Sequence, residues 1–337
     1  MFLRGITNDG GTLKKLLRLN ECESCPCIRI WCETHKLRKS SRQVSEGLER
    51  WIKRLSPPIR IPVGWKIYGE ESFRKKTFML RKILLIVASG KSTRLGGYPK
   101  AFVPIGDKLV VENTAHLAKP VFDEIYIGVN EETYAVYKDK VTGCRMFPIV
   151  TGNGDAHSVL KCLKFLRAKE MNVTKVAVCW GDAYFADSSP LEQAVSCMES
   201  LPDTVHAAVL CSLDREPYAW FELNGTHVKK AHFAGQERRV ACGVHDQSLF
   251  VLTLDPAIRY LKEYKQELGI GDEYCEGSPE MKLLYFFEWL YESGKYPPAE
   301  CRMIPPGSVL SFNTEEEAEE IRLRLKEIHK RNSEEVC

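Results

Sequence analysis

The chain has 337 residues, 44% hydrophobic and 28% charged, the balance of a folded globular protein. No apolar run approaches the ~18 residues a membrane helix needs, which excludes a helical membrane protein. The net charge of +3 hides an asymmetry: residues 1–78 hold 17 Lys/Arg and 8 Asp/Glu, so a basic arm precedes a mildly acidic body.

The N-terminus lacks an apolar core followed by a small-residue cleavage site, so the expected compartment is the cytoplasm. Most of the 13 cysteines are scattered singly inside apolar runs, as in KCLKF and AVCWG. Such cysteines behave as small buried hydrophobes and not as a disulfide framework. Only Cys22, Cys25, Cys27 and Cys32 cluster, with His35 close behind. Four thiols and an imidazole offer a tetrahedral Zn²⁺ site, although the spacing departs from the usual paired CxxC. The basic segment 45–55 reads as an amphipathic helix, and nothing further in it supports a nucleic-acid contact.

The body begins near Met79. KILLIVAS (82–89) reads as a buried strand, VVENTAHLAKP (110–120) as a helix stopped at Pro120, and EIYIGVN (124–130) as a second strand. DAHSVLKCLKFLRAKE (155–170) has helical apolar spacing. KVAVCWGD (175–182) is a third strand, SPLEQAVSCMES (189–200) a helix and HAAVLCSL (206–213) a fourth strand. This alternation predicts a mostly parallel sheet covered on both faces. Residues 218–233 predict a hairpin turning at Asn224-Gly225, and 243–255 another strand. In 278–294 a Ser cap, Pro at the first helical position and a closing Gly predict a helix beginning near Ser278. A charged helix is expected over 313–332.

The first strand runs into SGKSTRLGGYPK. Small residues there let backbone N–H groups approach a phosphate, and Lys91, Arg94 and Lys100 supply charge for a polyphosphate. The loop is neither GxxxxGK[ST] nor GxGxxG.

SGKSTRLGGYPKAFVPIGDK resembles the signature of the nucleotidyltransferases that make NDP-sugars and related activated compounds, the NTP-transferase superfamily that includes MobA-like proteins. Gly90, Thr93, Arg94, Pro99 and Lys100 fit the pattern, and Ser92 stands where a second glycine is usual. TGNGDAHSVLKCL resembles the family's base-contacting segment, VCWGDAYF its strand ending in a metal-binding aspartate, and SVLSFNTEEEAEEI its closing metal motif. The region around QERRVACGVHDQ resembles the acceptor-binding part.

The resemblance implies an α/β fold, a Rossmann-like mixed and mostly parallel sheet flanked by helices. It divides the chain into a basic Cys-containing extension, 1–78, and a nucleotidyltransferase domain, 79–332. It implies Arg94 and Lys100 as catalytic residues. Ala88, Ser89, Gly90, Lys91, Ser92, Thr93, Gly152, Gly154, Asp155 and Ala156 become the nucleotide-binding set. Asp182 and Asn313 would hold Mg²⁺, and Glu237, Arg239 and His245 would contact the acceptor. His157 reads as a packing histidine. The implied partners are an NTP and a phosphorylated acceptor, first among them a sugar 1-phosphate, with no membrane and no nucleic acid. A homo-oligomer is left open. Two other readings stand beside it: cytidylyl transfer to a non-sugar phosphate or phosphonate, and a non-catalytic regulatory or scaffold subunit. Retention of Arg94, Lys100 and Asp182 speaks against the latter.

Overall fold

A computed structural model of the chain describes residues 81–90, 97–170, 172–236, 240–307, 309–312 and 314–334. The Cys22, Cys25, Cys27, Cys32 and His35 cluster, Lys91, Ser92, Thr93, Arg94, Glu237, Arg239 and Asn313 lie outside the described residues.

The first strand, β1 (Ile83–Ala88), is apolar on both faces because it sits in the middle of a sheet. A 3-10 turn (Lys100–Phe102) and the short pair β2 (Pro104–Ile105) and β3 (Lys108–Leu109) lead into α1 (Val110–Ala118). Next come β4 (Glu124–Val129), α2 (Glu131–Tyr137), β5 (Arg145–Pro148), α3 (Asp155–Lys169), β6 (Lys175–Trp180), β7 (Ala183–Phe185) and α4 (Ser189–Ser200). The second half holds β8 (Ala207–Arg215), β9 (Ala219–Asn224), β10 (His227–Phe233), β11 (Cys242–Thr253) and α5 (Leu254–Glu267). It closes with α6 (Leu283–Ser293), β12 (Glu300–Met303), β13 (Val309–Ser311) and α7 (Glu315–Glu334).

Among the described residues the main sheet has nine strands in the order β5-β4-β1-β6-β11-β8-β12-β10-β9. β5, β4, β1 and β6 run parallel, with Leu84 beside Ile125 and Ala177. β11 inserts antiparallel between β6 and β8, which makes the sheet mixed. Alternate residues feed two cores. Leu85, Val178 and Phe250 pack under α3, α5 and α6, while Leu84, Ile86 and Val251 pack under α1 and α4. Each such side chain contributes about 1.5–3 kcal/mol on burial. The single cysteines Cys162, Cys179, Cys197, Cys211 and Cys301 are buried free thiols, as expected. No described helix is long and apolar enough to cross a membrane.

One element boundary differs from its expectation. α6 starts at Leu283 and not at the Ser278-Pro279 pair. Met281 is drawn instead into a backbone pairing, its N–H donating to Asn153 O at 2.8 Å and its O accepting from Ala156 N at 2.9 Å. That fixes the segment in a non-helical path. The helix N-terminus is then satisfied from a distance, by Asp155 Oδ1 accepting from Leu283 N at 2.6 Å. The C-terminus is as expected, with Gly294 in the left-handed region at φ 59°.

Candidate active site

The turns after β1, β5 and β6 open on the same edge of the sheet, where parallel α/β folds collect ligands. They line a cleft of about 480 Å³. The β1 turn gives Ala88, Ser89 and Gly90; the 3-10 turn gives Lys100; the β5 turn gives Thr151, Gly152, Gly154 and Asp155; the β6 turn gives Gly181 and Asp182. Of the expected nucleotide and metal positions among the described residues, all but the buried Ala156 line this cleft, although 94 positions separate Ala88 from Asp182.

Lys100 Nζ lies 3.0 Å from Asp182 Oδ2. Both side chains are largely withdrawn from solvent, at 16% and 28% exposure, so the pair is screened less than a surface pair. Gly181 makes the approach between strands tight. A Cβ there would sit 2.6 Å from Ala88 Cβ and 3.1 Å from Ala101 Cβ. Gly181 N also donates to Val87 O at 2.9 Å, which locks the Asp182 turn to the β1 turn.

The β5 turn is shaped by its packing against residues 280–282. Gly154 takes φ 105°, and a Cβ there would sit 2.5 Å from Met281 O. Its freedom lets residues 280–282 pack directly against the turn. Asp155 lines the cleft and fastens Leu283; burial pushes its carboxyl up to about 7, with the charge of Glu280 adding to the shift. Ala156 is fully buried, its N–H given to Met281. His157 is buried too and accepts from Asn153 N through Nδ1 at 3.1 Å, and burial lowers it to about 4. It is the packing histidine expected.

His245 does not line this cleft. Its Nδ1 donates to Ala219 O at 2.6 Å, which ties the ring to β9. Its neighbour Asp246 is the residue sequence reasoning passed over. Asp246 is 8% exposed and sits where the β11–β8 register slips, with Ser248 at φ 55°. Its Oδ1 accepts from Ser248 N at 3.0 Å. Burial above all raises its carboxyl, and the charge of Asp182 adds a smaller push, so the two carboxylates sense each other. The signal in the sequence was the polar interruption HDQS inside an otherwise apolar strand.

The donor set fits Mg²⁺. This ion takes one or two carboxylates, keeps several waters and completes its shell with substrate phosphate. Asp182 supplies a carboxylate oxygen at the cleft. No group of three or more His, Cys, Asp or Glu suited to a metal occurs among the described residues, so no self-sufficient protein cage is present there.

Residues 84–241 match the family of MobA-like NTP transferase domains. That likeness spans a little under half of the chain and includes the turns after β1, β5 and β6. The chain's fold agrees with two solved structures. One is a candidate glucose-1-phosphate thymidylyltransferase from Bacillus anthracis in complex with a sucrose, at TM-score 0.51 and 15% identity, covering 72% of this chain and 94% of that one. The other is HddC from Yersinia pseudotuberculosis, at TM-score 0.51 and 15% identity, covering 72% of this chain and 99% of that one. No curated protein matches the chain significantly.

Proposed function

We propose that this nucleotidyltransferase moves a nucleotidyl group from an NTP to a phosphorylated acceptor, a sugar 1-phosphate in the first instance, with Mg²⁺. The observation that carries the reading is the Lys100–Asp182 pair inside a cleft floored by the small-residue turn after β1. An acceptor phosphate oxygen attacks the α-phosphorus, the bond to the β-phosphate oxygen breaks, and pyrophosphate leaves with the electron pair. The acceptor is already ionised, so no dedicated base is needed. Catalysis of this kind is mostly positioning and charge neutralisation.

Ser89 and Gly90, with Lys91, Ser92, Thr93 and Arg94 beyond them in sequence, hold the β- and γ-phosphates in this reading. Lys100 meets the charge that grows on the α-phosphate oxygens. Asp182 and Asn313 hold Mg²⁺, which supplies further charge neutralisation at the phosphates. The register of β13 on β7 supports Asn313: Ser311 pairs with Ala183, the residue after Asp182. A sugar 1-phosphate acceptor is supported by the thymidylyltransferase likeness and remains the first member of the test panel.

The test mixes the full chain with Mg²⁺, each NTP in turn and a panel of sugar 1-phosphates, other organic phosphates and phosphonates, and follows pyrophosphate. Release is expected with one NTP and one acceptor class. Silence across the panel, or activity untouched by both Lys100→Ala and Asp182→Ala, overturns the reading.

A further inference from the structure

The cleft has two ends, and the strand order separates them. Asp182 follows β6, the phosphate turn follows the adjacent β1, and Thr151 and Gly152 follow β5, two strands further on. At ~4.8 Å per strand β6 and β5 lie ~14 Å apart, so the cleft runs along the sheet edge from the Asp182 turn toward the Thr151 turn. An NTP whose phosphates meet the β1 turn and Asp182 has its nucleoside at the β5 end.

That end is walled by a segment from outside the matched domain. Residues 268–282 connect α5 to α6, well beyond residue 241. Together with Leu283, the first residue of α6, they are fastened to the β5 turn and the start of α3 at four points. Asn153 Oδ1 accepts from Cys275 N at 3.0 Å, and Asn153 O accepts from Met281 N at 2.8 Å. Met281 O accepts from Ala156 N at 2.9 Å, and Asp155 Oδ1 accepts from Leu283 N at 2.6 Å. The fastening brings Tyr274 and Glu280 into the lining of the cleft. Tyr274 also lines the adjoining hollow together with Gly90 and Thr151, so it stands beside the phosphate turn as well as the β5 turn. Lys282 Nζ lies 3.5 Å from Glu280 Oε2.

Resting on the transferase reading above, we propose that the segment 274–280 recognises the nucleoside. The ring of Tyr274 lies against the nucleobase, and the carboxylate of Glu280 accepts hydrogen bonds from the ribose hydroxyls. Asp155 is a positioning residue that holds both through Leu283. An aromatic face takes any base, because every base has a π face, so this wall fixes the nucleoside without choosing among bases. A carboxylate only accepts, and its two oxygens match a pair of hydroxyl donors. A site built on such a contact rejects the analogue that lacks the hydroxyl.

The test needs no acceptor. Binding of the four NTPs, their 2′-deoxy forms and inorganic tripolyphosphate, each with Mg²⁺, is measured on the full chain by calorimetry. Tyr274→Ala is expected to weaken every NTP about tenfold or more, the usual cost of a lost stacking platform. Tripolyphosphate is expected to keep its wild-type affinity, which also shows the variant folded. Glu280→Gln is expected to bring the NTP preference over the deoxy form close to unity. Asp155→Ala is expected to lose NTP affinity while keeping tripolyphosphate, and Asp155→Asn, whose amide oxygen still accepts from Leu283 N, to restore it. Wild-type NTP affinity in both Tyr274→Ala and Glu280→Gln overturns the proposal and leaves the transferase reading standing. A wild-type chain that binds neither NTP nor tripolyphosphate overturns that reading and the proposal together.

Discussion

Lys100 and Asp182 stand on turns that follow different strands, yet their charges meet at 3.0 Å inside the cleft. The ammonium neutralises the same carboxylate that a divalent cation would use. Two consequences pull in opposite directions when the lysine is removed. Lys100→Met frees Asp182 from a competing cation, so Mg²⁺ should bind the substrate-free protein more tightly, by about fivefold for a pair worth ~1 kcal/mol. Turnover should fall, by about 10²–10³ if the ammonium meets charge on the reacting phosphate. Metal titration and steady-state kinetics on one variant check both signs. A variant with weaker Mg²⁺ binding would show that the lysine supports the metal site and does not compete with it.

Gly181 makes that pairing possible by leaving no side chain between the β1 and β6 turns. Gly181→Ala puts a methyl 2.6 Å from Ala88 Cβ, so one turn must move. The expected cost is about 1–3 kcal/mol of stability. Because the displaced turn carries Asp182 or Ser89, turnover should drop along with the melting temperature. Urea unfolding and pyrophosphate release measured together decide it; a stability loss with unchanged turnover would place the strain elsewhere.

Much of this arrangement is visible in the amino-acid order, and the parts that are not have a common cause. β1, β6 and α4 announce themselves through local periodicity, and residues 189–200 form the expected helix at both ends. The start of α6 does not, because its N-terminal partner is Asp155, 128 positions away. Ser278-Pro279 is a sound local start signal that loses to Met281's pairing with the β5 turn. Asp246 is hidden for a similar reason. A polar residue in an apolar strand looks like a solvated position until a bulge and the neighbouring β6 turn enclose it. Local pattern reads elements well; it does not read which loop from the second half will close over which turn from the first.

Asp155 gives the β5 turn a pH signature. Its folded carboxyl lies at about 7 against an ordinary value of 3.8, chiefly through burial. Glu280 raises it further, Lys282 and the backbone N–H groups of Leu283 and Ala156 lower it, and the nearby Tyr264 is itself pushed up in part by the Asp155 charge. The folded state therefore takes up a proton that the unfolded chain does not hold between about pH 4 and 7. Stability from this group is present at the low end of that window, lost as pH rises through it, and absent above it. Asp155→Asn keeps an oxygen for Leu283 N and removes the charge. It should melt higher than wild type above pH 7, with the gap closing as pH falls toward 4. Melting curves of the two proteins across that range test the sign; a gap that widens on acidification would refute it.

The far end of the sheet offers a contrasting case. Arg81 precedes β1, Glu124 opens β4 and Arg145 opens β5, all at the strand ends opposite the cleft. Glu170, 7% exposed, receives both Arg81 and the Tyr126 hydroxyl, while Arg81 Nη2 also reaches Glu124 Oε1 at 3.1 Å. Arg145 Nε lies 3.0 Å from Glu124 Oε2, closing the network. Glu170 is the only buried charge in this set, and Arg81, 35% exposed, keeps Glu124 when Glu170 is removed. The loss is that of the hydrogen bonds Glu170 accepts and the Tyr126 hydroxyl left without its acceptor, about 1–3 kcal/mol. Glu170→Ala should therefore lower stability by that order. Six residues of β1 at ~3.3 Å each separate it from the cleft by about 20 Å. At that distance its effect should add to that of Lys100→Met within about 0.5 kcal/mol in stability, and leave KM and kcat unchanged in the folded fraction. A double-mutant cycle with kinetics below the melting transition checks this. Coupling well above that margin would mean that the β1 strand transmits strain from its ionic end to the phosphate turn.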